Sequence, residues 1–396
     1  MADAREVWIT GIGLLTCLGD SLDAHWQRLG EPSTADTTLF APYVVHRAVS
    51  VDFDKQIPKK GDQRQMETWQ RIGVYAAGLA LESAGVKGKA ELLSKMDMIV
   101  AAGGGERDSK VDISILDGLR HAANREAYLN QRLLSDLRPT LFLAQLANLM
   151  AGNISIVHGV TGSSRTFMGE EAAGVDSVRI GLARIAAGQS ELALVGGAYN
   201  AERAEVVLHY VLGRMLTHDK HTHVWERAAA GGGMELGTVA SFLVLEEKQH
   251  ALDRGAKPFA RLVSIESDHV RRTAGAVTQA LERMWSRIAS NVKPESAAVL
   301  SGATGIAAVT AEERAFLAGH PDLAVRATGS HLGHALESQF PANIALAATA
   351  VQRGKLYPPC DSSGVEHPLQ APLRRVVVTS IGHRRGECLA LLEAVE

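Results

Sequence analysis

The sequence predicts an α/β protein made of two similar halves. Uniformly apolar segments alternate with long amphipathic helices, the pattern of sheets covered on both faces. Two Ala-rich segments also echo each other. Glu171–Ser190 reads EAAGVDSVRIGLARIAAGQS and Glu337–Leu356 reads ESQFPANIALAATAVQRGKL, and one offset of 166 residues relates Glu171 to Glu337 and Gly188 to Gly354. Both read as helices stopped by a C-terminal glycine. Two readings of the echo stand: a chance likeness between periodic Ala-rich helices, or a duplicated domain with two equivalent central helices.

The elements follow in order. Val7-Trp8-Ile9-Thr10-Gly11-Ile12-Gly13 reads as a buried strand running into a glycine turn. From Gln65 to Gly85, Ile72, Tyr75, Ala76, Leu79, Ala80 and Ala84 recur at helical spacing, and Gly85 ends the pattern. Met96–Ala102 is a second buried strand, closed by Gly103-Gly104-Gly105. Further strands are expected at Leu192–Val195, Ser241–Leu245, Ala297–Leu300 and Arg375–Thr379. No Pro/Gly/Ser-rich linker separates the halves, so residues 1–246 and 247–396 are expected to share one packed core.

Composition narrows the function. The 396 residues are 46% hydrophobic and 21% charged, which places the chain among globular rather than disordered or fibrous proteins. The formal net charge of −3 gives no argument for nucleic-acid or anionic-membrane binding. Cys17, Cys360 and Cys388 are scattered, which argues against a disulfide framework and for a reducing compartment. Met1–Val7 carries charges and no apolar signal core, and no apolar run reaches the roughly 18 residues of a membrane span. A cytoplasmic protein is expected. His218, His221 and His223 cluster in one stretch, but structural zinc sites usually bring two separated ligand pairs, so a solvated loop and no metal are expected. Gly103–Glu106 and Gly231–Gly233 lack the spacing and the Lys of a phosphate loop.

Five segments in one order resemble the β-ketoacyl synthase family. They are the Val7–Gly13 strand and turn, Asn148–Ser155, Leu194–Ala198, Gly333-His334-Ala335-Leu336-Glu337, and Leu243–Glu247 followed by His250-Ala251 and Arg254-Gly255-Ala256. The last is the most specific. The resemblance implies a thiolase-like duplicated α/β/α/β/α layered sandwich, usually assembled as a dimer.

The same resemblance implies a catalytic set, and this chain departs from it. A family member presents a Cys thiolate at a helix N-terminus, two His residues and a Lys. Here Thr166–Gly174 matches the nucleophile turn and puts Glu171 on the Cys position. Gly302 takes the place of the first His and Gly329 that of the Lys, while His334 is retained, with His331 as a possible misalignment three residues earlier. The glycine-rich gate becomes Gly382-His383-Arg384-Arg385-Gly386, whose Arg pair is expected to crowd or re-charge it. No catalytic residue and no cofactor are expected. The implied role is a chain-length-factor-type subunit that pairs with a Cys-bearing ketosynthase, meets acyl carrier protein through that complex, and walls the acyl tunnel with Ile113, Ile115, Leu116, Leu119 and Leu134. The alternative is a malonyl-carrier-protein decarboxylase with Glu171 in place of the Cys.

Overall fold

The computed structural model describes residues 4–136 and 142–395. Its strands are β1 (Val7–Leu15), β2 (Asp36–Phe40), β3 (Tyr43–His46), β4 (Asp97–Ala102), β5 (Ser164–Met168), β6 (Leu192–Tyr199), β7 (Leu236–Gly237), β8 (Val239–Glu247), β9 (Ala260–Asp268), β10 (Ala297–Ser301), β11 (Ala324–Ala327), β12 (Arg375–Ile381) and β13 (Glu387–Glu393). A small sheet runs β2-β3-β7, and a ten-stranded sheet runs β11-β10-β12-β13-β9-β1-β8-β6-β4-β5.

The large sheet is one pattern used twice. From the β1 side, β8 pairs antiparallel with β1 and β6, and β4 pairs parallel with β6 and β5. From the β9 side, β13 pairs antiparallel with β9 and β12, and β10 pairs parallel with β12 and β11. The halves join where Trp8 and Ile9 lie opposite Arg261 and Ala260. The fold is therefore duplicated, and the 166-residue echo has a structural basis.

Two helices fill the middle. Glu171–Ala186 and Gln339–Arg353 pack on each other and on strands of both halves. Every residue from Gln339 to Val351 is buried, which explains why this helix is apolar and Ala-rich all round. Both helices run into left-handed glycines, Gly188 at φ 70° and Gly354 at φ 63°. The Thr68–Ser83 helix covers the outer face of β1, β8 and β6, and Ala276–Ile288 covers β13 and β9. Five layers result, with apolar clusters in the middle and under each outer helix layer.

The packing sets the two central N-termini side by side. A Cβ on Gly174 would stand 2.4 Å from the carbonyl oxygen of Glu337, so only glycine permits this approach. Glu171 and Glu337 thus face one another as the related ends of related helices. Among the described residues, no helix is long and apolar enough to cross a membrane.

Candidate buried carboxylate–histidine site

Glu171 opens its central helix and is 3% exposed. Its Oε1 accepts three hydrogen bonds: from His334 Nε2 at 2.8 Å, from His383 Nδ1 at 2.8 Å and from the His383 backbone N–H at 3.2 Å. Burial alone would keep this carboxyl protonated. The hydrogen bonds and positive charge of His334 and His383 outweigh burial and hold it well below the usual carboxylate range. Burial opposes charge on His383 as well, yet the carboxylates of Glu171 and Glu170 push its pKa up. The site is a buried ion pair with no free acceptor on Oε1.

Each partner is placed by the local chain. His334 follows Gly333, which sits at φ 68° where a Cβ would stand 2.9 Å from the Gly237 backbone N. The His334 N–H then donates to the Glu235 carbonyl and the His334 carbonyl accepts from Gly237, locking the turn to β7. His331, the other histidine on this turn, makes no contact with Glu171; both its ring nitrogens are buried without a partner among the described residues. His383 lies at the tip of the β12–β13 hairpin, closed by Gly382 N–H to Gly386 O at 2.8 Å.

The Arg pair does not crowd this gate, though it adds positive charge beside it. Arg384 and Arg385 are both exposed, Arg384 reaching toward Glu170 at 3.9 Å, and His383 is the residue that turns inward. Charged guanidiniums favour water, while the imidazole finds a buried carboxylate.

Of the other degenerate positions, Gly302 is closed by backbone and Gly329 is only crowded. A Cβ at Gly302 would stand 2.6 Å from Thr379 O, so β12 occupies the space a side chain there would need. Beside it, Glu313 is fully buried and pushed up to about 7, accepting from Ser301 Oγ at 2.8 Å. A Cβ at Gly329 would meet Val224 Cγ2 at 3.1 Å and Ala303 O at 3.2 Å.

None of the cysteines is activated. Burial pushes the Cys17 and Cys360 thiols up to about 12, and the Cys388 thiol well above its usual value. Cys17 Sγ donates to His331 O at 3.1 Å. A thiolate is the nucleophile in acyl transfer, and none exists here near neutral pH.

A cleft of about 590 Å³ adjoins the site, lined among others by Gly103–Gly105, Met168, Glu170, Arg203, Tyr210 and Glu337. Glu337 escaped recognition as a site residue. Its Oε1 accepts from Gly103 N–H at 2.9 Å, and burial, with the charge of Glu171 adding to it, pushes its pKa up to about 8. The two related helix ends therefore carry opposite protonation states: Glu171 ionised, Glu337 a neutral acid. Between the ordinary value of 4.5 and about 8 the folded chain holds a proton on Glu337 that the unfolded chain releases, so stability drains away as pH rises through this window. We expect Glu337→Gln to raise the thermal midpoint relative to wild type at pH 8 and to be near neutral at pH 4.5. A difference that does not grow with pH counts against a protonated Glu337.

The expected tunnel residues divide. Ile113, Leu116 and Leu134 are 65%, 61% and 90% exposed, whereas Ile115 is 6% exposed and Leu119 is half-buried. Ile115 is thus corrected: it packs within its own chain and is not available to a partner. None of the five lines the cleft of this chain. The histidine stretch also differs from a solvated loop. His218 is exposed, but His221 bridges the buried Glu235 and Ser33, and His223 bonds Ser33.

Comparison with solved structures defines the class of fold. The chain superposes with TM-score 0.80 and 21% identity on a structure titled the ishigamide ketosynthase/chain length factor, covering 99% of this chain and 100% of that one. A type II polyketide ketosynthase described in complex with its acyl-carrier protein gives TM-score 0.73 at 17% identity, with coverage of 99% and 100%. At these identities the likeness speaks for the fold, which is thiolase-like.

Sequence comparison then gives the family. The profile described as Beta-ketoacyl synthase, N-terminal domain, matches residues 4–251, and the chain belongs to the β-ketoacyl synthase family. The 3-oxoacyl-[acyl-carrier-protein] synthase 2 of Vibrio cholerae is 25% identical over 65% of this chain, and the match spans 62% of that relative's length. The synthase 2 of Synechocystis is 23% identical over 90% of this chain and 88% of its own length.

Proposed function

We propose that this chain is a non-catalytic ketosynthase subunit of the chain-length-factor type. It pairs with a Cys-bearing ketosynthase, shapes that partner's acyl tunnel, and meets acyl carrier protein through the complex. The observation that carries the reading is Glu171. It stands where the family pattern places the nucleophile, its Oε1 saturated by two histidines and a backbone N–H. A carboxylate in this state forms no transferable thioester. Gly302 and Gly329 supply neither the His nor the Lys of the family set.

The surface supports pairing. β5 is the outermost strand of the large sheet, half-exposed and hydrogen-bonded on one side only, to β4. Met168 at its end is 71% exposed, and Leu208 and Leu212 of the Ala204–Leu212 helix are 55% and 77% exposed. A bare strand edge beside exposed apolar side chains is what a partner covers. We take the division between the duplicated halves at residues 246 and 247, and the compartment as the reducing cytoplasm.

The decarboxylase reading gains His383 as a second histidine at the site. It loses more through charge, because the ionised Glu171 repels a malonyl carboxylate. Both readings meet one experiment. Incubated alone with acyl- and malonyl-carrier protein, the chain should show no acyl adduct by intact-mass spectrometry and should leave the malonyl group intact. An adduct on Cys17, Cys360 or Cys388 defeats the non-catalytic reading; acetyl-carrier protein as product restores the decarboxylase.

A further inference from the structure

We infer that His223, Glu226 and Asp361 form a binding site for a divalent first-row transition-metal ion, separate from Glu171, that ties the irregular Gly354–Arg374 segment to the N-terminal half. One donor atom from each residue lies within 4.8 Å of the other two. The set is one imidazole and two carboxylates, which suits a zinc-like ion with an open position for water.

What distinguishes this trio is which atoms are already used. His223 Nε2 is bonded to Ser33 Oγ at 3.1 Å, leaving Nδ1 buried with no hydrogen-bond partner among the described residues and 3.8 Å from Glu226 Oε1. Asp361 is 8% exposed; its Oδ1 accepts from Ser363 N–H at 2.7 Å, and Oδ2 has no partner among the described residues. Glu226 Oε1 accepts from the backbone N–H of Ser362 at 2.9 Å and from its hydroxyl at 2.6 Å. Each side chain is therefore oriented by an outer hydrogen bond, as metal ligands usually are. A buried carboxylate oxygen facing nothing is costly, and a cation is the group that satisfies it together with an imidazole nitrogen.

Two other trios have the same residue types and fail this comparison. In His46, His221 and Glu235, the Glu235 Oε2 already accepts from both imidazoles at 3.0 and 2.7 Å, and Arg227 neutralises Oε1 at 2.8 Å. In Glu170, Glu171 and His383, Glu171 Oε1 is already filled by His334 and His383, and Arg384 stands 3.9 Å from Glu170, although His383 Nε2 has no hydrogen-bond partner among the described residues. Charge separates them further: the trio with Asp361 carries two carboxylates with no Lys or Arg paired to either among the ion pairs of the described residues.

The location gives the ion a purpose. No strand or helix lies between Arg353 and Arg375, a connection longer than the roughly 12–15 residues usual for irregular loops in compact domains. His223 and Glu226 belong to the start of the Val224–Ala229 helix, and Asp361 to this connection. A shared ion closes the loop across the two halves.

The test uses the full chain, stripped with a chelator and titrated with Zn²⁺ by calorimetry, with circular dichroism as the folding control. One ion per chain is expected. Asp361→Asn, which keeps the shape, and His223→Ala should each weaken Zn²⁺ binding at least about tenfold. Glu171→Gln should leave it unchanged. Zn²⁺ should also slow proteolysis within residues 355–374 of wild type but not of Asp361→Asn. No binding by the wild-type chain overturns the site, as does binding that survives both Asp361→Asn and His223→Ala or is lost with Glu171→Gln.

Discussion

Glu171→Ala is expected to destabilise the chain by about 3–5 kcal/mol at pH 6, the usual cost of removing one partner from a buried ion pair. The substitution leaves His334 Nε2 and His383 Nδ1, in residues 2% and 6% exposed, without the acceptor they share. It also unties three distant parts of the chain at once: the central helix, the Gly333–His334 turn and the β12–β13 hairpin. Glu171→Gln should cost less, because its amide oxygen still accepts hydrogen bonds and only the charge is lost. The stabilisation belongs to the ionised form. Its folded pKa lies below the ordinary 4.5, so it is present above that pH and is lost as pH falls below it. Urea denaturation at pH 6 and at pH 3.5 measures both effects. An Ala variant within about 1 kcal/mol of wild type at pH 6 would mean that the pair contributes nothing net.

Position 171 is more than a helix-end carboxylate. At a helix N-terminus, a carboxylate on the surface is worth about 0.3–1 kcal/mol through the dipole. Glu171 is instead the acceptor on which two half-domains converge, because His334 and His383 both come from beyond residue 247. The place where the family resemblance puts a reacting group holds a carboxylate bonded to two distant histidines. Its twin, Glu337, stays neutral beside the cleft chiefly because it is buried, and the nearby charge of Glu171 adds to that effect.

Much of the fold was legible because the central strands are buried on both faces. β1, β4, β6, β8, β10 and β12 are each apolar runs, and each was found from that alone. β13 escaped because Glu387–Glu393, ECLALLE, is rich in residues that favour helices; pairing with β12 and β9 overrides that preference. β5 escaped for the opposite reason, since an edge strand reading SRTFM needs no apolar run. At the site, Glu171 and His334 follow from spacing against the family pattern. His383 does not, because a hairpin tip with two arginines reads as a charged surface turn, and only the approach of a residue 212 positions away makes it a buried donor. Asp361 and Glu226 were invisible for the same reason: nothing local marks a contact between a loop and a helix far apart in sequence.

The exposed apolar set should control pairing and, through it, product length. Ile113 and Leu116 lie on the Ser109–His121 helix and are more than half exposed, while Ile115 between them is buried against its own chain. If the chain pairs as proposed and these two residues become buried, a carboxylate placed there would have to be desolvated without a partner. Leu116→Asp and Ile113→Asp should therefore each weaken the complex with the Cys-bearing ketosynthase by about 100-fold or more, since each 1.4 kcal/mol is a factor of ten and the penalty is several kcal/mol. Folding of the isolated chain should be untouched. Ile115→Asp should do the reverse, lowering the stability of the chain itself. Sedimentation and denaturation measured on the same three variants separate the two effects. Apolar substitutions then ask about the tunnel: Ile113→Phe or Leu134→Phe leaves the complex intact but adds volume where the partner's cavity would end, and the products of the reconstituted pair should shorten. If the Asp variants bind normally, the interface lies elsewhere; if pairing depends on these residues and product length never moves, they hold the partner without measuring its chain.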